Sequence, residues 1–223
     1  MIRKTLVTSV LLLAANQASA LNITVDSQLG DWLANTPSGL ASDWTPKSST
    51  DPQDEIKWFV EDQNTSYLNP GYGGQAYDAE AIYVNRSNTH INIAIVTGMA
   101  PNANYEWPAG DIAIDFGFDH NNPMVRSFEI GIVTVNDNFG IGAAPGRLYS
   151  VTEWNYGLWE GPNDTGNAAT AYKLAHPTTV KDGTAVGSVD FSYSATPITN
   201  LGDKGGNHYV IEAAIPWTLL DSI

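Results

Sequence analysis

Short runs in which apolar and polar residues alternate constrain this chain more than any other feature. Residues 91–95, 112–118 and 128–132 each place Ile or Phe at every second position. Successive side chains of a β-strand point to opposite faces, so this pattern predicts strands with one buried face. Clusters rich in Gly, Asn, Asp and Pro separate the runs at 85–89, 101–104, 119–123, 136–146, 161–167 and 202–207. We therefore predict an all-β fold, an antiparallel β-sandwich of jelly-roll or immunoglobulin-like type in a single domain.

The first twenty residues have the three parts of a signal peptide. Arg3 and Lys4 are positive, residues 5–15 are an apolar run, and Ala18-Ser19-Ala20 supplies small residues for cleavage. The apolar run is too short to span a bilayer, and no later run of that kind follows. We predict that export removes residues 1–20 and that the β-sandwich domain, residues 21–223, is secreted or lies at the cell surface.

The charge of the chain restricts its partners. The chain has 10 Lys and Arg against 24 Asp and Glu, so removal of Arg3 and Lys4 leaves a formal charge of −16. Such a charge disfavours nucleic acid and anionic membranes. It can keep an extracellular protein soluble, or bound divalent cations can neutralise part of it, and both explanations stay open. The chain has no Cys, which excludes disulfides and thiolate chemistry.

Catalytic motifs are missing from the sequence. It contains neither a G-x-S-x-G nucleophile elbow nor an H-E-x-x-H zinc motif. Asp111 and Asp115 would lie about 13 Å apart along a strand, farther than the carboxyl groups of a glycosidase. Asp78 and Glu80, about 6.6 Å apart, would permit inverting geometry or joint binding of a cation. We expect no enzymatic activity and keep a glycoside hydrolase or esterase as the last alternative. Turn-like sequence surrounds the four histidines, which we expect to be exposed: His90, His120, His176 and His208.

Calcium is the cofactor that the acidic residues favour, because it binds six to eight oxygen ligands. Directly opposed residues on neighbouring strands lie about 4.5 to 5.5 Å apart, so carboxylates there could share an ion. The candidate ligands on strands are Asp78, Glu80, Asp111, Asp115 and Glu129. Carboxylates this close would repel one another. We therefore expect that a cation or an arginine lies among them, or that their strands are not adjacent. A second candidate is the loop 119–122, with Asp119 and Asn121, which a plain hairpin turn explains equally well.

Aromatic residues are the candidates for binding carbohydrate. The chain has seven Trp and ten Tyr. Trp154, Tyr156 and Trp159 lie in a glycine-flanked segment that we predict to be a loop. We expect Trp107 and Trp44, each close to a proline, to be exposed as well. Apolar surroundings predict that three other tryptophans are buried: Trp32, Trp58 and Trp217.

Several motifs extend over most of the predicted mature chain. They are V-D-x-x-L-x-D-W at 25–32, Y-D-A-E-A-x-Y at 77–83, the alternating strand at 90–95 and Y-V-I-E-A-A-I-P-W at 209–217. Together they resemble the β-sandwich domains of family 9 carbohydrate-binding modules and the related DOMON-like domains. The resemblance implies a sandwich that binds sugar rings between tryptophans and holds calcium structurally.

Two further motifs, P-G-Y-G-G-Q-x-Y-D-A-E-A at 70–81 and G-D-I-A-x-D-F-G at 110–117, are similar to those of a group of secreted bacterial proteins. Members of that group often carry a C-terminal PEP-CTERM sorting tail, which is associated with export and exopolysaccharide-rich surfaces. The chain stops at Ile223, directly after what should be the last strand. We therefore expect that the C-terminus is truncated.

The function that we predict first is non-catalytic binding of an extracellular polysaccharide or glycan, at the cell surface or in the extracellular matrix. The alternative is a structural protein of the cell surface or matrix without a small-molecule ligand. That alternative predicts a flat acidic surface and an exposed edge strand for self-assembly. A haem-binding DOMON role would need axial Met or His, and we assign no partner to Met99 or Met124.

Overall fold

The computed structural model describes residues 21–61, 78–102, 108–117, 127–136, 140–156 and 177–221. Within these ranges nine strands form two antiparallel sheets, which confirms the predicted all-β sandwich. The strands are β1 (Ile56–Val60), β2 (Ala79–Arg86), β3 (His90–Thr97), β4 (Ile112–Ile114), β5 (Ile130–Ile132), β6 (Arg147–Asn155), β7 (Thr179–Ser188), β8 (Asp190–Tyr193) and β9 (Tyr209–Pro216). The helices in the same ranges are three short 3-10 turns, Leu29–Asp31, Ala41–Trp44 and Pro52–Asp54, and helix α1, Trp217–Leu220. No helix in the described ranges is long and apolar enough to cross a membrane.

The two sheets pack face to face around a buried apolar cluster. The first sheet has the strand order β1-β2-β3-β9-β8 and the second has the order β4-β5-β6-β7. Ile93 of β3 and Ile211 of β9 share this cluster with Ile130 and Ile132 of β5. These are the residues that alternate along each strand, so the period of two directs them to one face. β2 and β3 are antiparallel neighbours, as their order along the chain suggests, whereas β4 lies in the opposite sheet.

A third layer, residues 21–54, covers the outer face of the five-stranded sheet. We call it the N-terminal layer. Its buried Trp32 packs against Tyr83 of β2, with 6.2 Å between the ring centroids. Trp44 belongs to the same cluster and is only 4% exposed. The prediction that Trp44 is exposed is therefore wrong, because the segment around it lies against the sheet rather than projecting into solvent.

A carboxylate organises the part of this layer that leads to Trp44. Asp43 accepts hydrogen bonds from the backbone N–H groups of Ser38, Gly39 and Leu40, each 2.8 to 2.9 Å long, and from the Ser38 hydroxyl. Burial raises the pKa of Asp43, but these hydrogen bonds outweigh burial and hold the pKa below its usual value. The carboxylate of Asp43 therefore closes the turn that leads into Trp44.

The chain changes sheets between β7 and β8 at a single residue, Val189. Its N–H donates to the carbonyl of Gly146, and its side chain enters the cluster between the sheets. Gly146 has φ of +78°, and a Cβ there would lie 2.7 Å from Cβ of Phe191. Glycine is needed at this corner because the backbone is left-handed and the neighbouring strand is close.

Candidate functional site

The structure divides the predicted calcium ligands between the two sheets. Asp78 and Glu80 lie at the start of β2, in the five-stranded sheet, while Asp111, Asp115 and Glu129 flank β4 and β5 in the other. The two sets are not cross-strand neighbours, because β2 pairs with β1 and β3 in the described sheet. Among the described residues, no group of three or more His, Cys, Asp or Glu could hold a metal ion. Two further predicted ligands lie outside the described ranges: Asp119 and Asn121.

Asp78 and Glu80 are interior residues, 6% and 3% exposed. Oε1 of Glu80 lies 3.8 Å from Nε2 of His208, and the ring of Trp44 meets the His208 ring edge to face at 5.7 Å. His208 is 2% exposed, so the prediction that it is exposed is wrong. Its backbone pairs with Ile198, which places the imidazole between the N-terminal layer and the sheet.

Asp111 connects the two outer strands of the four-stranded sheet. Its carboxylate accepts hydrogen bonds from the N–H of Thr134 (3.0 Å), just after β5, and from the N–H of Val180 (2.8 Å) in β7. Its own N–H donates to the carbonyl of Thr178 at 2.8 Å. Because β4 and β7 are the end strands of this sheet as described, these bonds link its two ends. The geometry gives Asp111 a structural role.

Asp115 and Glu129 are the two candidate ligands that the structure brings together. A Cβ placed on Gly117 would lie 3.0 Å from Oε1 of Glu129 and 3.7 Å from Oδ1 of Asp115. Glu129 accepts hydrogen bonds from the N–H of Phe116 (3.0 Å) and from the Ser127 hydroxyl. Burial raises the pKa of Glu129, but these hydrogen bonds outweigh burial and leave the pKa below its usual value. Both carboxylate oxygens of Asp115 are buried without a hydrogen-bond partner among the described residues.

This pair is better suited to a cation than to proton transfer. A general acid needs a raised pKa, whereas Glu129 has a lowered one. Buried carboxylate oxygens without partners are costly, and a bound cation would offset that cost. Two carboxylates supply fewer oxygens than the six to eight that calcium takes, so further ligands would be required.

The predicted aromatic loop is in part a strand. Trp154 lies in β6, pairs with Val180 across to β7, and is 4% exposed. Its indole N–H donates to the carbonyl of Phe128 at 2.9 Å. Trp154 is therefore packed against the outer face of its sheet and offers no free ring face, which corrects the loop prediction. Tyr156 follows β6 and is partly buried against the same cluster. The other two residues predicted to bind sugar lie outside the described ranges: Trp159 and Trp107.

The prediction that Trp58 of β1 is buried is wrong, because its side chain is 48% exposed. Its ring stacks on Tyr83 with 6.5 Å between centroids and 9° between planes. Tyr83 is fully buried, and its hydroxyl donates to the carbonyl of Trp44 at 2.9 Å. We call this pair the Trp58 platform. The sequence of β1 hides it because apolar residues occupy both faces of this edge strand, so the alternation does not show which face is covered.

Trp217 is the other partly exposed tryptophan of the described ranges, and one face of its ring is covered. The guanidinium of Arg86 lies 5.2 Å from the ring centroid of Trp217, a cation–π arrangement. The indole N–H of Trp217 donates to the carbonyl of Ser87 at 2.9 Å. A cavity of about 190 Å³ beside them is lined also by Gln53 and Asn88. Arg86 occupies the place above the ring that a sugar would need.

Glu212 is a buried charged residue that sequence reasoning missed. It is fully buried in β9 and accepts hydrogen bonds from the indole N–H of Trp32 (2.5 Å), the N–H of Asp26 (2.8 Å) and the N–H of Ser27. Burial raises the pKa of Glu212, and these three donors offset only part of that rise. The sequence does contain an indication that Glu212 is buried, because Glu212 shares a strand face with the apolar Val210 and Ala214.

No family model, curated protein or solved structure matches this chain. The resemblance to family 9 modules and DOMON-like domains therefore stays a prediction. Two of its motifs, at 25–32 and 209–217, do meet in space, through the hydrogen bond between Trp32 and Glu212. That contact concerns how the fold is held together and leaves the ligand to be argued from the exposed groups.

Proposed function

We propose that this protein is an exported, non-catalytic carbohydrate-binding domain in which the exposed ring of Trp58 stacks on a sugar. The observation that carries the proposal is the Trp58 platform. Of the tryptophans in the described ranges, Trp32, Trp44 and Trp154 are buried and Trp217 lies under Arg86. Trp58 alone among these combines a large exposed fraction with a ring that is supported from behind.

A supported aromatic ring suits the flat apolar face of a sugar. Stacking on Tyr83 limits the orientations of the Trp58 ring before any ligand arrives. Because less motion is lost on binding, more of the contact energy contributes to affinity. The ring also combines an apolar face with a polar N–H, as recognition of an amphipathic sugar requires.

The charge of the chain narrows the class of glycan. With a formal charge of −16 after removal of residues 1–20, the domain would repel uronic acid or sulfated polymers at low ionic strength. Uncharged polysaccharides such as β-glucans or xylan are therefore the ligands we propose, at the cell surface or in the extracellular matrix.

The acidic residues support a non-catalytic role. Asp111 is held by backbone N–H groups, and the pKa of Glu129 is lowered, so neither is prepared as a general acid. Asp78 and Glu80 lie in the interior. Calcium at Asp115 and Glu129 would then have a structural role.

Binding to insoluble and soluble uncharged polysaccharides tests the proposal directly. We expect the wild-type protein to be retained on at least one of cellulose, β-glucan, chitin or xylan, and Trp58→Ala to bind about tenfold more weakly or worse. Phe59→Ala is the matched control, since Phe59 is a neighbouring aromatic, 64% exposed, whose side chain points to the opposite face of β1. Equal binding by Trp58→Ala and wild type, or no retention of wild type on any polymer, would refute the proposal.

The exposed edge strand favours a second candidate function, self-assembly as a structural cell-surface or matrix protein. β1 is an end strand of the described sheet, and Phe59 and its register partner Ile82 are 64% and 39% exposed. Exposed apolar edge strands promote pairing between chains. Sedimentation velocity over a range of concentrations should then show association that Phe59→Lys weakens and that Trp58→Ala leaves largely intact. Monomers at every concentration would exclude this candidate.

A further inference from the structure

We infer that cleavage after Ala20 creates an α-ammonium group on Leu21 that forms an ion pair with the buried carboxylate of Asp54. Processing of the exported chain would thus complete the N-terminal layer. The inference rests on the export that the proposed function includes, and it adds a role for the new chain terminus.

Asp54 is a buried acid with a defined set of partners. It ends the third 3-10 turn and is 4% exposed. Its Oδ1 and its carbonyl oxygen both accept from the side-chain amide of Asn85, at 2.8 and 3.0 Å. Asn85 accepts in turn from the amide of Asn92 at 2.9 Å. This chain of hydrogen bonds fixes one carboxylate oxygen and leaves Oδ2 directed toward Leu21.

The nitrogen of Leu21 is the donor to Oδ2 of Asp54. The side chain of Leu21 packs against the apolar cluster of the N-terminal layer, together with that of Ile23. Leu21 is therefore fixed in place by apolar packing as well as by the hydrogen bond. The predicted cleavage site, Ala18-Ser19-Ala20, ends directly before this nitrogen.

The charge of Asp54 is not balanced by a basic side chain in the described structure. The ion pairs among the described residues involve Glu55, Glu153, Asp203 and Glu80, and none includes Asp54. A buried carboxylate without a cationic partner is unfavourable. In the uncleaved chain the Leu21 nitrogen is a neutral amide with one proton, whereas in the cleaved chain it is an ammonium with three. A hydrogen bond to a charged donor is about twice as strong as one between neutral groups.

Comparison of chains that differ only in the group attached to the Leu21 nitrogen tests the inference. We would prepare the mature chain beginning at Leu21 with a free amine, the same chain with an acetylated amine, and a chain that begins one residue earlier at Ala20. The free Leu21 chain should unfold at a temperature about 4 to 10 °C higher than the other two. Equal unfolding temperatures would overturn the inference.

Asp54→Asn shows whether the effect requires the carboxylate. In this background the difference between free and acetylated chains should fall below about 1 °C, whereas Asp51→Asn should preserve it. Asp51 is a suitable control because it caps the same 3-10 turn, a position that Asn also fills well. A difference that persists in Asp54→Asn would overturn the inference.

A chemical readout covers the case in which Asp54→Asn does not fold. The α-amine of the folded wild-type chain should react with an acylating reagent at pH 7 at least tenfold more slowly than in urea. Equal rates would show that the amine is free in solution and would overturn the inference.

Identification of the first residue of the exported protein tests this inference separately from the proposed function. Mass spectrometry of protein recovered outside a bacterial host should give Leu21 as the first residue. Export with a different first residue would overturn the inference and leave carbohydrate binding intact. Loss of polysaccharide binding in a chain that begins at Leu21 and shows the stability difference would refute only the proposed function.

Discussion

Trp32 and Glu212, which are 180 residues apart in the chain, are joined by a 2.5 Å hydrogen bond from the indole N–H to Oε1. The other carboxylate oxygen accepts from the N–H groups of Asp26 and Ser27. Ser27 adopts φ of +60°, and its hydroxyl contacts that of Ser192 in β8 at 2.6 Å. One side chain of β9 therefore fastens the N-terminal layer to the five-stranded sheet.

Removal of the Glu212 carboxylate should destabilise the protein strongly. In Glu212→Ala the three N–H donors lose their acceptor in a fully buried place, so we expect the free energy of unfolding to fall by about 3 kcal/mol or more. Urea denaturation measures this loss. Glu153→Ala is the control, because Glu153 is half exposed and pairs with Lys181 at the surface, and should cost less than about 1 kcal/mol. Similar losses in the two variants would contradict the assigned role of Glu212.

The raised pKa of Glu212 predicts a pH dependence of defined sign. Above the ordinary value of 4.5, the folded chain still holds a proton that the unfolded chain has lost. Stability from this residue is therefore fully present at lower pH and declines as pH rises through the raised pKa. The free energy of unfolding of wild type minus that of Glu212→Gln should fall as the pH rises above about 4.5. A difference that grows with pH would show that the three N–H donors outweigh burial.

Gly131 should not tolerate a side chain. A Cβ at this position of β5 would lie 2.4 Å from Cγ2 of Val180, 2.9 Å from Cγ2 of Val151 and 3.0 Å from Trp154. We expect Gly131→Ala to cost about 2 kcal/mol in urea unfolding, because the packed neighbours must move. Gly30→Ala, with no atom within 4 Å of the new methyl group, should change stability by less than about 0.5 kcal/mol. If Gly131→Ala had the same free energy of unfolding as wild type, the side chains of β7 would pack less closely on β5 than the structure shows.

Calcium should raise the unfolding temperature if it binds between Asp115 and Glu129. A ligand of the folded state stabilises by mass action, so calcium at about a hundredfold excess over its Kd should raise Tm by about 5 °C or more relative to chelator. Asp115→Asn should abolish the shift, and Asp190→Asn, at an exposed site in β8, should preserve it. A shift that is absent in wild type, or unchanged in Asp115→Asn, would remove calcium from this site.

The successes and errors of the sequence predictions have a common physical origin. Alternation identified β3, β4 and β5 because the direction of each side chain along a strand is a local property. The predictions for Trp58 and Trp154, made from apolar surroundings and flanking glycines, failed because the exposure of a side chain depends on what lies against each face of its strand. Sequence patterns also did not show that Glu212 is buried, because the hydrogen-bond donors to this acid come from residues 26–32, at the other end of the chain.

The amino-acid sequence alone predicts short antiparallel strands, mainly isoleucine on their inward faces, and a strongly acidic protein. These properties depend on neighbouring residues or on composition. The three-dimensional structure was needed to show that Glu80 and Asp111 lie in different sheets, that Asp115 and Glu129 lie close together, and that the exposed ring of Trp58 stacks on Tyr83. Strand pairing and sheet packing join residues far apart in the chain, and the energy of those contacts has no signature in any local stretch of sequence.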